Sequence, residues 1–249
     1  MVHGTFMQII LPTYREMGWA VVPFLHCFEK FWGDPKQIVL LAETDYSGGR
    51  CTFIEVPQQY RGSNGAVSCS HYSSILSWHL GNISEEYYII MCADYWIYEL
   101  VNVEVITIAE QYMRENSNVL RIGLGNYAGL TNCDAAFNYQ GIAFAECAER
   151  RDCFATVSLT PGLWSKALFM QILEIGHDPW NIELAGREKY IRSFPHWRSI
   201  LINPEHIVYI NAVRGSNPNI VLVEEDIKEV YSMIPSGKQI HVIKRGVPC

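Results

Sequence analysis

Long apolar runs are missing from this chain. Glu, Asp, Arg or Lys interrupts every stretch before it reaches the roughly 20 residues that a membrane-spanning helix needs. Positive charge is scarce as well: 19 Lys and Arg stand against 26 Asp and Glu, a net charge of −7 over 249 residues. That balance argues against a broad footprint on a nucleic-acid backbone. The eight cysteines are scattered, with no C-x-x-C pair and none at zinc-ligand spacing with a histidine, so they read as reduced thiols of a cytoplasmic protein and not as a disulfide framework. Also absent are H-E-x-x-H, the G-x-x-x-x-G-K-[ST] phosphate loop, the G-x-S-x-G elbow, internal repeats and low-complexity tracts. The opening MVHGTFMQIILPTYRE has neither a basic leader nor a small-residue cleavage site, and reads as a core strand instead of a signal peptide.

What is present is apolar residue in quantity, 49% against 18% charged, which excludes intrinsic disorder and suffices for one large core. Strand-like and helix-like runs alternate, the pattern of an α/β sheet covered by helices. Met7–Leu11, Gln37–Ala42, Thr52–Val56, Tyr87–Cys92, Val119–Leu124, Phe154–Leu159 and Ile207–Ile210 read as strands. Helical spacing predicts helices around Val21–Trp32, with Pro23 at a first turn or kink, and over Tyr72–Leu80, Val103–Glu115, Ser165–Ile175 and Val221–Ile234. The segment from Gly125 to Arg151, rich in Gly, Asn and Asp, reads as an irregular, inserted loop region.

Three places carry possible chemistry. Asp94 directly follows the most apolar strand, where ligands gather in open α/β sheets; a helix cap or turn is the competing role. Pro161-Gly162-Leu163-Trp164 and Asp178-Pro179-Trp180-Asn181-Ile182-Glu183 place two indoles near turns, with a carboxylate three residues past the second. Such a set suits a carbohydrate pocket, in which apolar sugar faces stack on indoles and a carboxylate accepts a hydroxyl proton; two core tryptophans and a first-turn Glu183 are the alternative. Gly123-Leu124-Gly125-Asn126-Tyr127-Ala128-Gly129 superficially matches a dinucleotide loop, but Leu130–Asp134 does not open a helix on which a pyrophosphate would sit. No dinucleotide is expected there.

Together, Ile10-Leu11-Pro12-Thr13-Tyr14-Arg15-Glu16 and Tyr88-Ile89-Ile90-Met91-Cys92-Ala93-Asp94-Tyr95-Trp96 resemble the first strand and the Asp-x-Asp strand of GT-A fold glycosyltransferases. Leu100-Val101-Asn102 would occupy the helix start after that strand. Ser158–Trp164 and Pro179–Glu183 are similar to acceptor-side segments of a branch carrying an Asp-Asp-Tyr-Phe variant of the motif. Ala93 and Trp96 replace acidic residues of the motif, leaving Asp94. The resemblance implies an α/β GT-A-like fold: one domain over 1–249 with a mixed, mostly parallel sheet, a Rossmann-like nucleotide-sugar half at 1–124 and an acceptor half at 125–249.

It further implies transfer from a nucleoside diphosphate sugar with inversion. Thr13, Tyr14, Arg15 and Arg214 would lie on the nucleotide diphosphate, and Asp94 on Mn²⁺ or Mg²⁺. Glu183 would be the base, Asp178 the next choice, and Trp164 and Trp180 the sugar or acceptor wall. The acceptor would be a saccharide or a hydroxymethylated pyrimidine in viral DNA; Lys166, Arg187, Lys189, Arg192 and Arg198 cluster in the acceptor half. A nucleotidyltransferase and a non-catalytic nucleotide-sugar-binding module are the alternatives. The first normally has a basic glycine-rich loop, whereas residues 11–18 offer only Arg15 and Gly18.

Overall fold

Side chains alternate across a strand, so a strand covered on both faces must be apolar at every position. The first strand shows this directly. In β1 (Gln8–Pro12), Ile9 and Leu11 enter one hydrophobic core and Ile10 a second one on the opposite face. The computed structural model describes residues 7–125, 133–147, 154–203, 207–211, 213–214, 219–223, 228–236 and 239–243. After β1 come a 3-10 segment at Arg15–Ala20, α1 (Val21–Phe31), β2 (Ile38–Ala42), β3 (Thr52–Glu55), α2 (Tyr72–Asn82), β4 (Tyr87–Ile90) and β5 (Tyr95–Ile97). Next are α3 (Val103–Glu115), β6 (Val119–Gly123), β7 (Cys133–Tyr139), β8 (Ile142–Cys147), β9 (Gly162–Ser165), α4 (Lys166–Ile172) and α5 (Pro179–Ser193). The chain continues through β10 (Arg198–Asn203), β11 (Tyr209–Asn211), β12 (Val213–Arg214), β13 (Asn219–Val223) and β14 (Gln239–Ile243).

Nine strands form the main sheet in the order β3-β2-β1-β4-β9-β6-β10-β8-β7. The pairs from β3 to β4 and the β6–β10 pair are parallel, while β9 and β8 run against their neighbours. This is the expected mixed, mostly parallel sheet. Helices α1 and α3 cover one face through Phe24, Phe28, Ile106 and Met113. On the other face, α2, α4 and α5 contribute Ile75, Leu76, Phe169, Ile182 and Tyr190. Each such fully buried side chain stabilises the fold by about 1.5–3 kcal/mol relative to exposure. Pro23 lies in the first turn of α1, where its missing N–H costs nothing. Asn102 caps α3 by accepting from the Glu104 amide at 3.1 Å.

The chain leaves β1 for β2 and β3 on one side, then returns to place β4 on the other. The order therefore reverses between β1 and β4, and a crevice opens at their carboxyl ends.

Four sequence expectations are corrected. Gly125–Arg151 contains a hairpin: β7 and β8 close at Tyr139 and Ile142, through Gln140 and Gly141, both at positive φ (50° and 84°). That is the backbone of a two-residue hairpin turn, here with Gln in place of the usual Asn or Asp. Phe154–Leu159 is a 3-10 turn (Phe154–Val157) and not a strand, because β9 takes the place between β4 and β6. The helix expected over Ser165–Ile175 is correspondingly shortened to α4. Val221–Ile234 is not a helix: β13 pairs in parallel with β14, and a 3-10 segment covers Lys228–Met233. The β-branched run there favours extended backbone, and β14 supplies the hydrogen-bonding partner.

Candidate active site

The crevice at the ends of β1 and β4 is a cavity of about 740 Å³. Pro12 and Tyr14 form its β1 side, and Cys92 to Tyr95 its β4 side. Ser158–Thr160 and the first turns of α5 close it from the other half of the chain. The site thus joins segments that the sequence separates widely.

Asp94 sits in the turn between β4 and β5, closed by the Tyr95 amide donating to the Cys92 carbonyl at 3.0 Å. It caps no helix, since that role at α3 belongs to Asn102. Its carboxyl is pushed up to about 7 by loss of water, its own backbone amide opposing the shift. Trp96 is fully buried, donates from Nε1 to the Ala93 carbonyl at 3.0 Å and packs edge-on to Trp19. A tryptophan where the motif has an acid therefore pins the turn that presents Asp94.

On the β1 side, Tyr14 lines the cavity, and burial together with the nearby Asp94 raises its phenol. Thr13 is buried; its amide donates to the Leu41 carbonyl, while its Oγ1 has no partner among the described residues. Arg15 is exposed, with Nε 3.4 Å from Glu43 Oε1, which also accepts from the Tyr46 hydroxyl. The other oxygen, Glu43 Oε2, is buried without a partner among the described residues. Glu43 went unnoticed in the sequence, although it follows β2 as Asp94 follows β4.

Glu183 lines the cavity from α5. Asp178 is the N-cap of that helix and accepts from the Asn181 amide at 2.8 Å. Glu183 lies past the first turn, and its hydrogen bonds come from outside the helix. Oε1 accepts from the Leu159 amide at 2.6 Å and the Ser158 hydroxyl at 3.1 Å. Burial raises the carboxyl above its ordinary range, while those two donors and the charge of Arg121 hold it down. The carboxylate is thus held by two donors from the 158–160 segment and not by the N–H groups of its own helix.

The two tryptophans part company. Trp180 is 73% exposed at the rim of the cavity. Trp164 has no exposure: it packs 4.6 Å from Phe169 under the sheet and is not among the cavity's lining residues. Its assignment to the sugar wall is corrected to the core, because β9 is an inner strand and points Trp164 into the α2–α4–α5 face. Arg214 falls in β12 opposite Asn219; its side chain lies outside the described residues. Residues 126–129 of the glycine loop also lie outside them, and Gly125 pairs with Ile207.

Three carboxylates line the cavity (Asp94, Asp178 and Glu183), with no Lys, Arg or His among its described lining residues. The basic cluster of the second half is engaged elsewhere. Lys166 donates to the Ile83 carbonyl, Lys189 pairs with Glu174, Arg192 with Glu188 and Arg198 with Glu146, and Arg187 has a partner too. Among the described residues, no group of three or more His, Cys, Asp or Glu is placed to hold a metal ion. With Asp94 as its one carboxylate ligand, a divalent ion there would have to take its other ligands from substrate phosphates and water, a common arrangement for Mg²⁺. No described helix is long and apolar enough to cross a membrane.

Comparison with solved structures places the architecture. S. aureus TarS 1-349 superposes with a TM-score of 0.50 at 13% identity, over 82% of this chain and 59% of TarS. The fold is GT-A-like. Structures of TarS 1-349 also exist with UDP and with UDP-GlcNAc. The mannosyltransferase PcManGT from Pyrobaculum calidifontis, solved with GDP-Man and Mn²⁺, matches at TM-score 0.44 and 15% identity over 85% of this chain and 58% of its own. A Leptospira borgpetersenii cytidylyltransferase matches at 0.43 and 7% identity, over 82% of this chain and 81% of its own. No family model and no curated relative matches the sequence.

Proposed function

We propose that the chain transfers a sugar from a nucleoside diphosphate sugar to a hydroxyl of a saccharide acceptor, with inversion. The observation that carries this reading is the meeting of Asp94 and Glu183 in one cavity at the β1–β4 reversal of a GT-A-like sheet. The nucleoside end of the donor would lie over β1 and β2, where Thr13 Oγ1 and Glu43 Oε2 are buried without partners among the described residues and would accept from or donate to its polar edge. Tyr14 and Arg15 flank that region; Arg214 is proposed from the resemblance alone. Asp94 would hold Mn²⁺ or Mg²⁺, which when bound neutralises charge on the departing diphosphate.

Glu183 is the base. Among the described residues both its hydrogen bonds end on Oε1, which leaves Oε2 to take the acceptor's proton. The freed oxygen then attacks the anomeric carbon as the bond to the diphosphate oxygen breaks. A single displacement of this kind inverts the carbon. A carboxyl lifted by burial is a better proton acceptor than one in water. Trp180 offers an exposed indole for the acceptor's apolar face.

The acidic lining favours a neutral saccharide over DNA, whose phosphates would meet three carboxylates and, among the described lining residues, no Lys, Arg or His. Against a nucleotidyltransferase, Arg15 is turned onto Glu43. Glu183→Gln tests the reading: the donor-induced thermal shift should persist while transfer falls roughly a hundredfold to ten-thousandfold. Near-normal turnover in that variant would move the base elsewhere.

A further inference from the structure

Arg121 is a charged side chain with no solvent exposure, carried by the inner strand β6. It lies directly opposite Trp164 of β9, with its guanidinium 5.2 Å from the indole ring. One terminal nitrogen, Nη2, donates to both the carbonyl and Oγ1 of Thr160, each at 3.0 Å. Thr160 Oγ1 is 3.3 Å from Ser158 Oγ, and Ser158 Oγ is 3.1 Å from Glu183 Oε1. The Leu159 amide, between those two residues, reaches the same carboxylate oxygen at 2.6 Å.

We infer that Arg121 is a positioning residue for Glu183, acting through Thr160 and Ser158 to fix the segment that grips the carboxylate. This deepens the proposed role of Glu183 as base and rests on it. Ser158 Oγ lies within donating reach of both Glu183 Oε1 and Thr160 Oγ1 and accepts from the Thr160 amide at 3.4 Å, so the residue that Arg121 anchors is tied to the hydroxyl that holds the carboxylate. Arg121 thereby fixes the backbone and side chain of the segment whose Leu159 amide and Ser158 hydroxyl donate to the carboxylate. Burying a guanidinium is costly, so an arginine in a sheet interior needs such compensating acceptors.

Gly162 supports the same arrangement. A Cβ there would lie 2.8 Å from Arg121 Nε, so the glycine of Pro161-Gly162 serves close approach and not a turn. The titratable or charged groups acting on Glu183 or sharing its cavity are Arg121 from β6, Asp178 of its own helix, Tyr14 after β1, Cys69 just before α2 and Tyr72 at its start, and Cys92, Asp94 and Tyr95 after β4.

The test follows the Glu183 carboxyl by NMR in the full chain labelled at glutamate, its signal assigned by its loss in Glu183→Gln. Removing an opposite charge should raise the Glu183 midpoint in Arg121→Met. Arg121→Lys, which restores charge without the forked geometry, should fall between. Thr160→Val keeps the charge, breaks the hydroxyl link and should also raise the midpoint, by less. A folded Arg121→Met with an unmoved midpoint overturns the inference. If that variant does not fold, an unmoved midpoint in Thr160→Val overturns it instead. A purely structural Arg121 would lower the melting temperature and leave the midpoint alone. The outcome is separate from the catalytic reading, because transfer surviving in Glu183→Gln would remove the base while leaving this titration as it is.

Discussion

Asp94 loses water in the turn after β4, and its carboxyl titrates near 7 in place of the ordinary 3.8. The folded state therefore binds the proton more tightly than the unfolded chain. Folding is favoured by that proton at low pH, and the contribution disappears as pH rises through about 7. Asp94→Asn removes this burden, so its melting temperature relative to wild type should be higher above pH 7 and no higher near or below about pH 3, where the carboxyl is mostly protonated in both the folded and the unfolded chain. A cation at Asp94 competes with the proton, so Mn²⁺-dependent donor binding should tighten as pH rises through about 7. Isothermal titration across that range checks this, and Asp94→Asn should abolish both the metal dependence and its pH profile. A donor affinity that is flat with pH would separate Asp94 from the diphosphate.

Elements explain why two residues of one type have opposite fates. Trp164 belongs to a four-residue inner strand and Trp180 to the first turn of a helix whose near end is open to water. Trp164→Ala should cost about 3–5 kcal/mol by urea unfolding, the range for emptying a buried aromatic site. Trp180→Ala should change stability by no more than about 0.5 kcal/mol. Its effect should fall on acceptor saturation, raising the acceptor KM with donor binding intact. Asp178 already serves as the cap of α5, and Asp178→Ala should cost about 1 kcal/mol while Asp178→Asn retains most of it. That pairing separates a cap from a base, because a base would lose turnover in the Asn variant as well.

For the whole molecule, the reversal between β1 and β4 sets the site, and a donor bound there engages only the folded chain. Saturating a nucleoside diphosphate sugar at a hundred times its Kd should add about 2.7 kcal/mol to stability. A thermal-shift screen of UDP-, GDP- and dTDP-sugars with and without Mn²⁺ reads that directly. A shift for one nucleotide that grows with Mn²⁺ is the expected outcome. No shift with any donor would argue against the nucleotide-sugar reading as a whole. The chain covers only part of TarS 1-349, so the acceptor chemistry is to be sought with this chain's own cavity and not borrowed.

Much of the frame was legible without coordinates, because strand alternation, helical spacing and caps are local. β1, β2, β4, β6 and α3 fall where their apolar patterns put them, and Asp94 stands just past the end of β4. The last part of the chain was misread because its partner, β14, lies beyond it in sequence, and a β-branched run becomes a strand only when another strand accepts it. Burial is likewise a property of neighbours. Glu43 matters because β1 lies beside β2, and Trp164 is core because β9 slots between β4 and β6. Pro161-Gly162 reads as a turn until Arg121 is found beneath it. Periodicities and the residue types that chemistry requires are written in the order of the residues. Which carboxylates share one cavity depends on distant strands and loops closing over the same crevice, and that is settled only by the fold.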